Sequence, residues 1–210
     1  MTPETEQKLK QIKQSFRLMM NGPASQSMRQ RGLDYRVNWG VPYVELRNMG
    51  RNYGKDFDLA IALWKENIRE CKILATIIMP PERMLPEIVD VWMEQVTTQE
   101  MAEMLAFNLL QHLSFAPLLA YRWIASDAPL YQIAGYSLLS RLFMRGQEPN
   151  ERGINEFVDQ AVTAMASDHA GVRHAASNCM QHFAQMGEVY HRIASSAMKR
   201  LAPATSINIH

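Results

Sequence analysis

Basic side chains supply the most suggestive chemistry in this sequence. Within the first half of the chain they cluster as Arg47, Arg51, Lys65, Arg69 and Lys72. Arg69 and Lys72 are three residues apart, so on a helix they would face the same way. Arg173 stands at the start of a predicted helix, where backbone N–H groups and the helix dipole also favour an anion. These residues predict contacts with phosphate groups, and a charged face exposed only for solubility is the alternative.

Histidine and cysteine could also do chemistry, but their spacing does not favour it. The last third of the chain holds four histidines: His169, His174, His182 and His191. A metal site needs three or four ligands that converge on one point, and this spacing predicts solvated side chains instead. Cys71 and Cys179 fall on apolar helix faces, which predicts buried, reduced thiols in a cytoplasmic protein. Without a glycine-rich phosphate loop, a CxxC pair or an HExxH motif, we expect no metal and no cofactor.

Composition limits the function classes that remain. The chain has 210 residues, is 47% hydrophobic and 20% charged, and is therefore expected to fold around a substantial core. Its net charge of +1 means that a nucleic-acid binder of this kind would have to segregate its charge onto one face. No apolar run approaches the roughly 20 residues that span a bilayer, so no membrane partner is expected.

A segment that nearly repeats itself sets the architecture that must position these residues. Ala125-Ser126-Asp127 recurs as Ala166-Ser167-Asp168, an offset of 41 residues. The apolar residues that follow keep the same offset and recur at i, i+3, i+4, i+7 and i+8, which is the face of a helix. A period near 40 residues with two helices is typical of an α-solenoid of HEAT type, which is a binding scaffold.

Helical patterns account for nearly the whole chain, and strand patterns are nearly absent. Helices are predicted at about 3–20, 42–49, 56–67, 68–78, 85–93, 98–113, 117–124, 130–145, 153–166, 171–186 and 189–201, with Asp56 as a helix cap. Residues 24–42 are expected to be irregular. The short links imply antiparallel neighbours, so we predict an all-α protein: one α-solenoid domain of HEAT-like antiparallel helix pairs over residues 1–210. Residues 1–22 would form an N-terminal helix and residues 202–210 a frayed tail.

Motifs in the first half resemble a known family. The stretch Trp39-Gly-Val-Pro-Tyr-Val-Glu-Leu-Arg47, followed by Leu63-Trp64 and by Glu70, Lys72 and Leu74-Ala75, resembles the DNA alkylation repair family of HEAT-like proteins, the AlkD-like DNA glycosylases. Later, Gly171-Val-Arg173-His-Ala175 resembles the "Phe-Ile-Arg-Lys-Ala" helix start of that family. The resemblance covers about residues 35–195.

This resemblance implies a function and a site. Members bind duplex DNA in the concave face of the solenoid, and the active ones excise cationic alkylpurines. The reaction needs a carboxylate to stabilise oxocarbenium charge at the sugar and Trp faces to hold the cationic base. The family's "Trp-Asp-x-x-Asp" element corresponds here to Gln99, Glu100 and Glu103, and its second Trp corresponds to Asn178. The intervening Arg falls near 132–134, where no residue is basic.

Two hypotheses follow from the match and from its departures. The first is a protein that binds duplex or structured DNA, with Glu103 as the candidate catalytic carboxylate and with excision weakened or altered. Its DNA contacts would come from Gln99, Asn178, Arg47, Arg69, Lys72 and Arg173. The second is a non-enzymatic HEAT-like protein-interaction scaffold, which the near-zero net charge and the missing aromatic residues motivate.

Overall fold

A computed structural model describes the backbone of residues 1–201 and the side chains of residues 1–199. In this part of the chain every regular element is helical. The α-helices are α1 (Pro3–Leu18), α2 (Gly22–Gln30), α3 (Tyr43–Tyr53), α4 (Phe57–Lys65), α5 (Arg69–Ile78), α6 (Pro86–Glu94), α7 (Gln99–Asn108), α8 (Ala116–Ile124), α9 (Pro129–Met144), α10 (Glu151–Met165), α11 (Ala170–Ala184) and α12 (Glu188–Leu201). The predicted tail, 202–210, lies outside the described residues. Among these helices, none is both long and apolar enough to cross a membrane.

The helix ends follow the capping residues in the sequence. The predicted cap at Asp56 is confirmed: its Oδ1 accepts a hydrogen bond from the backbone N–H of Leu59 at 3.0 Å. Gly54 ends α3 with a φ of 68°, which lies in the left-handed region that glycine tolerates best. The helix predicted over 98–113 is shorter than expected, because α7 ends at Asn108 and a single 3₁₀ turn follows at Leu110–His112.

The prediction that residues 24–42 are irregular is wrong at its beginning, where α2 lies. The Oδ1 of Asn21 accepts a hydrogen bond from the backbone N–H of Ala24 at 3.0 Å and so caps the beginning of this helix. Pro23 occupies the first turn, where a missing N–H costs nothing. No residue of α2 is buried, so its sequence has no apolar stripe that could have revealed it.

The described chain divides into two compact units, and the first comprises Met1–Leu113. Helix α5 is its centre and packs against α3, α4 and α7, while α1 packs against α4. Gly50 lets α3 approach α5 closely, because a Cβ at this position would lie 2.3 Å from Cγ2 of Ile77. All residues of α5 except Ile77 are buried, including three charged ones, so polar partners must be built into this core.

The second unit begins at Ser114, and it contains the predicted repeat. Helices α9 and α11 pack against each other, with α8 on α9 and α10 on α11. The two copies begin with the same turn. Ser126 Oγ accepts from the N–H of Ala128 at 3.1 Å, and Ser167 Oγ accepts from the N–H of His169 at 3.2 Å. The apolar stripe of the second copy is buried as predicted: Val172, Ala175, Ala176, Cys179, Met180 and Phe183.

Candidate nucleic-acid interface

Arg69, which was predicted to contact phosphate, is held inside the first unit. Its side chain is 3% exposed and lies between two carboxylates. Its Nε and Nη2 donate to Oε2 and Oε1 of Glu100 at 2.8 and 2.6 Å, and Nη1 donates to the carbonyl of Val41 and to Glu70, both at 3.2 Å. The structure therefore corrects the prediction for Arg69: its charge is used within the protein to join α5 to α7.

The same polar cluster ties the loop before α3 to the core. Glu70 is fully buried, and its two carboxylate oxygens accept from the backbone N–H groups of Trp39 at 3.2 Å and Val41 at 3.3 Å. Tyr35 donates its hydroxyl proton to Glu100 at 2.8 Å and accepts from Thr98 at 2.7 Å. Burial and the charge of Glu100 raise the pKa of Tyr35, so the phenol stays protonated. These bonds fix the loop that leads into α3.

Lys72, the second predicted phosphate contact on α5, is also buried, and its exposed fraction is 9%. Its Nζ lies over the ring of Trp64, 4.2 Å from the centroid. The ring of Trp64 also stacks on the ring of Trp92, with 4.1 Å between the ring centroids and 2° between the ring planes. Desolvation lowers the pKa of Lys72. Its environment thus differs from the open helix face that the sequence suggested.

Gln99 and Glu103 lie one turn apart on α7 and contact each other. Gln99 Nε2 donates to Glu103 Oε1 at 2.7 Å, and both residues are half-buried. Glu100 is committed to Arg69 and Tyr35, so Glu103 is the carboxylate of this element that remains accessible. Sequence analysis assigned Glu100 only by register and missed its structural role, since the partner residues lie 31 and 65 positions away.

Asn178 and Arg173 both lie on α11 of the second unit, and both side chains are exposed. Arg173 Nη1 donates to the backbone carbonyl of Ser167 at 2.6 Å, across the turn that precedes the helix. This bond uses one of the five N–H donors of the guanidinium, so the others remain for a ligand. Both side chains are therefore accessible to a ligand within this unit.

A concentration of exposed arginine, of which sequence analysis named only Arg47 and Arg51, lies between the start of α2 and the second residue after α3. We call residues 22–55 the arginine-rich segment, and it holds six cations against the two acids Asp34 and Glu45. All six cations are exposed and form no ion pair with any described residue; five of them are arginines, namely Arg29, Arg31, Arg36, Arg47 and Arg51. A sliding count of charge would have found them.

Helix α3 presents two of these arginines together. Arg47 and Arg51 are one helical turn apart, and the neighbouring Asn48 and Asn52 are exposed on the same face. Arginine and asparagine side chains both donate hydrogen bonds that phosphate oxygens accept. The opposite face of α3 is held by Leu46 and Gly50, which are buried against α5. The result is a rigid helix whose outer face suits a polyanion.

Comparison with known proteins places this chain in a family. Residues 12–185 match the family model described as DNA alkylation repair enzyme, and because this is most of the chain, the protein belongs to the DNA alkylation repair enzyme family. It is similar to a solved structure described as "a new family of proteins related to the HEAT-like repeat DNA glycosylases with affinity for branched DNA structures". That match has a TM-score of 0.83 and 18% identity, and it covers 92% of this chain and 83% of the other. No curated protein sequence matches significantly. The HEAT-like, all-α fold predicted from the sequence is confirmed.

Proposed function

We propose that this protein binds duplex or branched DNA and that the arginine-rich segment supplies its main phosphate contacts. The observation that carries this proposal is the segregation of charge in a nearly neutral chain. Residues 1–55 contain ten lysines and arginines against four acids, whereas the remaining residues contain 12 against 17. A DNA binder with a net charge of +1 needs this kind of segregation to attract a polyanion.

Family membership and the structural relative support DNA as the ligand. The relative has affinity for branched DNA structures, and it shares the fold of this chain at a TM-score of 0.83. Cations on one helical element bind phosphates irrespective of base sequence, which suits recognition of DNA shape. Arg47 and Arg51 would contact neighbouring phosphates, and Arg173 of the second unit would add a further contact. Lys72 is treated separately below, because it is buried.

We further propose that binding occurs without efficient base excision. Excision of a cationic base would use an indole face, but three of the four tryptophans of this chain are buried and the fourth, Trp39, is half-buried. Trp64, Trp92 and Trp123 are each 2% exposed, and Trp39 packs against Phe16 with 5.8 Å between centroids. In the register that the family resemblance suggests, Gln99 and Asn178 stand at the positions of the family's two Trp residues. Without those two faces, cation–π stabilisation of about 1–2 kcal/mol at each position is lost.

A salt titration of DNA binding tests the proposal. Fluorescence anisotropy would compare a labelled four-way junction with a duplex of equal length between 50 and 200 mM salt, conditions chosen from the usual range for phosphate-dominated binding. We expect binding at low salt that weakens steeply as salt rises, with the junction bound at least as tightly as the duplex. No binding to either DNA at the lowest salt would refute the DNA function.

The same measurement separates the alternative function, a non-enzymatic protein-interaction scaffold. A scaffold of that kind would leave both DNA probes unbound, and its ligand would be another protein. Single large apolar side chains are exposed, including Leu118 at 75%, but they are scattered, and isolated examples are ordinary on protein surfaces. Cys71 and Cys179 are free and buried, which is compatible with the reducing cytoplasm that we propose as the location.

A further inference from the structure

The side chain of Lys72 is 9% exposed, and its ammonium has no anionic partner among the described residues. No carboxylate oxygen of that part of the chain lies within 4.0 Å of Nζ, and desolvation lowers the pKa of this lysine. Arg69, one turn earlier on the same helix, is paired with Glu70 and Glu100. A buried lysine without a partner is costly, since buried charges are normally paired or bound to a ligand.

A pocket adjoins this lysine. It has a volume of about 310 Å³ and is lined by Asp34, Tyr35, Arg36, Asn67, Lys72, Gln95, Thr97 and Met101. A water molecule occupies about 30 Å³ in the liquid, so the space is ample for a tetrahedral anion. Arg36 brings a second cation, and Asn67, Gln95 and Thr97 bring neutral hydrogen-bond donors. Asp34 is the one acid on the wall, and its side chain is exposed.

The aromatic side of the site keeps the ammonium in place. Trp64 presents one face to Nζ and its other face to Trp92, so the methylene stem and the head group of Lys72 rest on a fixed plane. A cation over an indole is stabilised, but the ring accepts no proton and leaves the N–H donors of the ammonium available. A ligand in the pocket could accept those hydrogen bonds.

We propose that the Lys72 pocket is a binding site for a phosphate group, either inorganic phosphate or the terminal phosphomonoester of a DNA strand. Lys72 would supply one charge, Arg36 a second charge, and the amides and hydroxyl of the lining the remaining donors. Charge-assisted hydrogen bonds to phosphate are stronger than neutral ones, and they would offset the desolvation of the ammonium. The site goes beyond the proposed DNA function, because it can be occupied without contacts to α3.

The experiment measures thermal unfolding of the full chain as inorganic phosphate is added at constant ionic strength, with chloride as the exchanged anion. Wild type is compared with Lys72→Met, whose unbranched side chain keeps the packing on Trp64, and with Lys72→Gln as a second variant. Lys10→Met is the matched control, since Lys10 is an exposed lysine on α1. A concentration tenfold above the dissociation constant is expected to raise the midpoint by about 4 °C in wild type and in the control. Both Lys72 variants should lose this rise.

A second arm identifies the source of the phosphate. Duplexes with a 5′-phosphate or a 5′-hydroxyl are bound to wild type and to Lys72→Met. If wild type prefers the 5′-phosphorylated duplex and Lys72→Met does not, the ligand of the pocket is a DNA terminus. If phosphate raises the unfolding midpoint but neither duplex is preferred, the ligand is inorganic phosphate. The proposal is overturned if wild type shows no phosphate-specific shift, or if the shift persists in both Lys72 variants. DNA binding that continues in that case would leave the proposed function intact.

Discussion

Arg69 on α5 and Glu100 on α7 form a two-pronged ion pair, with N–O distances of 2.8 and 2.6 Å. Their planar groups match in a fork geometry, which is the strongest form of this contact. Because Arg69 is 3% exposed and Glu100 19%, solvent screens the pair only weakly. The pair therefore sets how α7, which carries Glu103, sits on α5.

Removal of one partner of this pair should destabilise the first unit. In Glu100→Gln the buried guanidinium of Arg69 keeps only one of its two carboxylate partners, Glu70. We therefore expect a loss of about 3 kcal/mol in the free energy of unfolding. Urea denaturation followed by circular dichroism measures it. Glu103→Gln on the same helix is the control, and a change below about 1 kcal/mol is expected there. Equal effects of the two variants would contradict the structural role of Glu100.

Substitution of the arginines on α3 should weaken DNA binding and flatten its salt dependence. For each phosphate contact removed by Arg47→Ala or Arg51→Ala, the slope of log affinity against log salt should fall by about 0.9 on duplex DNA. Anisotropy titrations at several salt concentrations provide the slope. Arg152→Ala, which removes an exposed cation on α10 of the second unit, should leave the slope unchanged. An unchanged slope in both α3 variants would exclude this helix from the interface.

Base excision should be negligible. With protein in excess over a methylated duplex, we expect no release of 7-methylguanine above the uncatalysed rate, measured by chromatography of free bases. Glu103→Gln should therefore match wild type in this assay while it retains DNA binding. Release by wild type that the Glu103→Gln substitution abolishes would instead show that Glu103 serves as the catalytic carboxylate without the aromatic residues.

Gly135 should tolerate no side chain. It lies where α9 meets α8, and a Cβ there would come within 2.8 Å of the backbone N of Ile124 and 3.1 Å of the carbonyl of Ala120. Backbone atoms cannot rotate away, so Gly135→Ala should cost about 2 kcal/mol despite the better helix propensity of alanine. Gly22→Ala is the control, because a Cβ at Gly22 meets nothing within 4 Å. Thermal denaturation compares them, and equal midpoints would argue against the close contact.

The charged side chain of Lys72 should destabilise the folded protein less as the pH rises. Its folded pKa lies below 10.5, so the charged form is disfavoured by folding. At pH values below the pKa of Lys72 in the folded protein, the full free-energy cost of desolvating the ammonium is present. This cost falls as the pH rises toward the pKa of the lysine in the unfolded chain. Lys72→Met should thus be more stable than wild type in phosphate-free buffer at pH 7, with an advantage that shrinks toward pH 10. Denaturant midpoints across this range measure it, and an advantage that grows with pH would be inconsistent with a desolvated ammonium.

Apolar periodicity was sufficient to predict most helices, but not α2. The buried stripe of α11 and the turn at Ser126 and Ser167 follow directly from the repeat in the sequence. Helix α2 has no buried residue and depends on its cap at Asn21, so its stability comes from a local hydrogen bond that carries no periodic signal. A residue such as Asn21 can follow the end of one helix and cap the beginning of the next, so its type alone does not say which of the two it does.

The candidate site was only partly predictable, because charge in a sequence does not reveal its partner. Arg69 and Lys72 share a helix and a charge, yet one is neutralised by an acid 31 residues away and the other has no described anion. By contrast, the contact between Gln99 and Glu103 follows from helix spacing alone. Long-range pairing decides which cations remain for a ligand, and that depends on the fold.

The stacked indoles of Trp64 and Trp92 give the first unit a built-in optical label. Two chromophores whose parallel rings lie 4.1 Å apart couple their electronic transitions, and this coupling contributes to the near-ultraviolet circular dichroism of the unit. The charge of Lys72 at one face perturbs the emission of the same ring. Intrinsic fluorescence therefore offers a readout of the electrostatic state of this corner of the molecule without any attached dye.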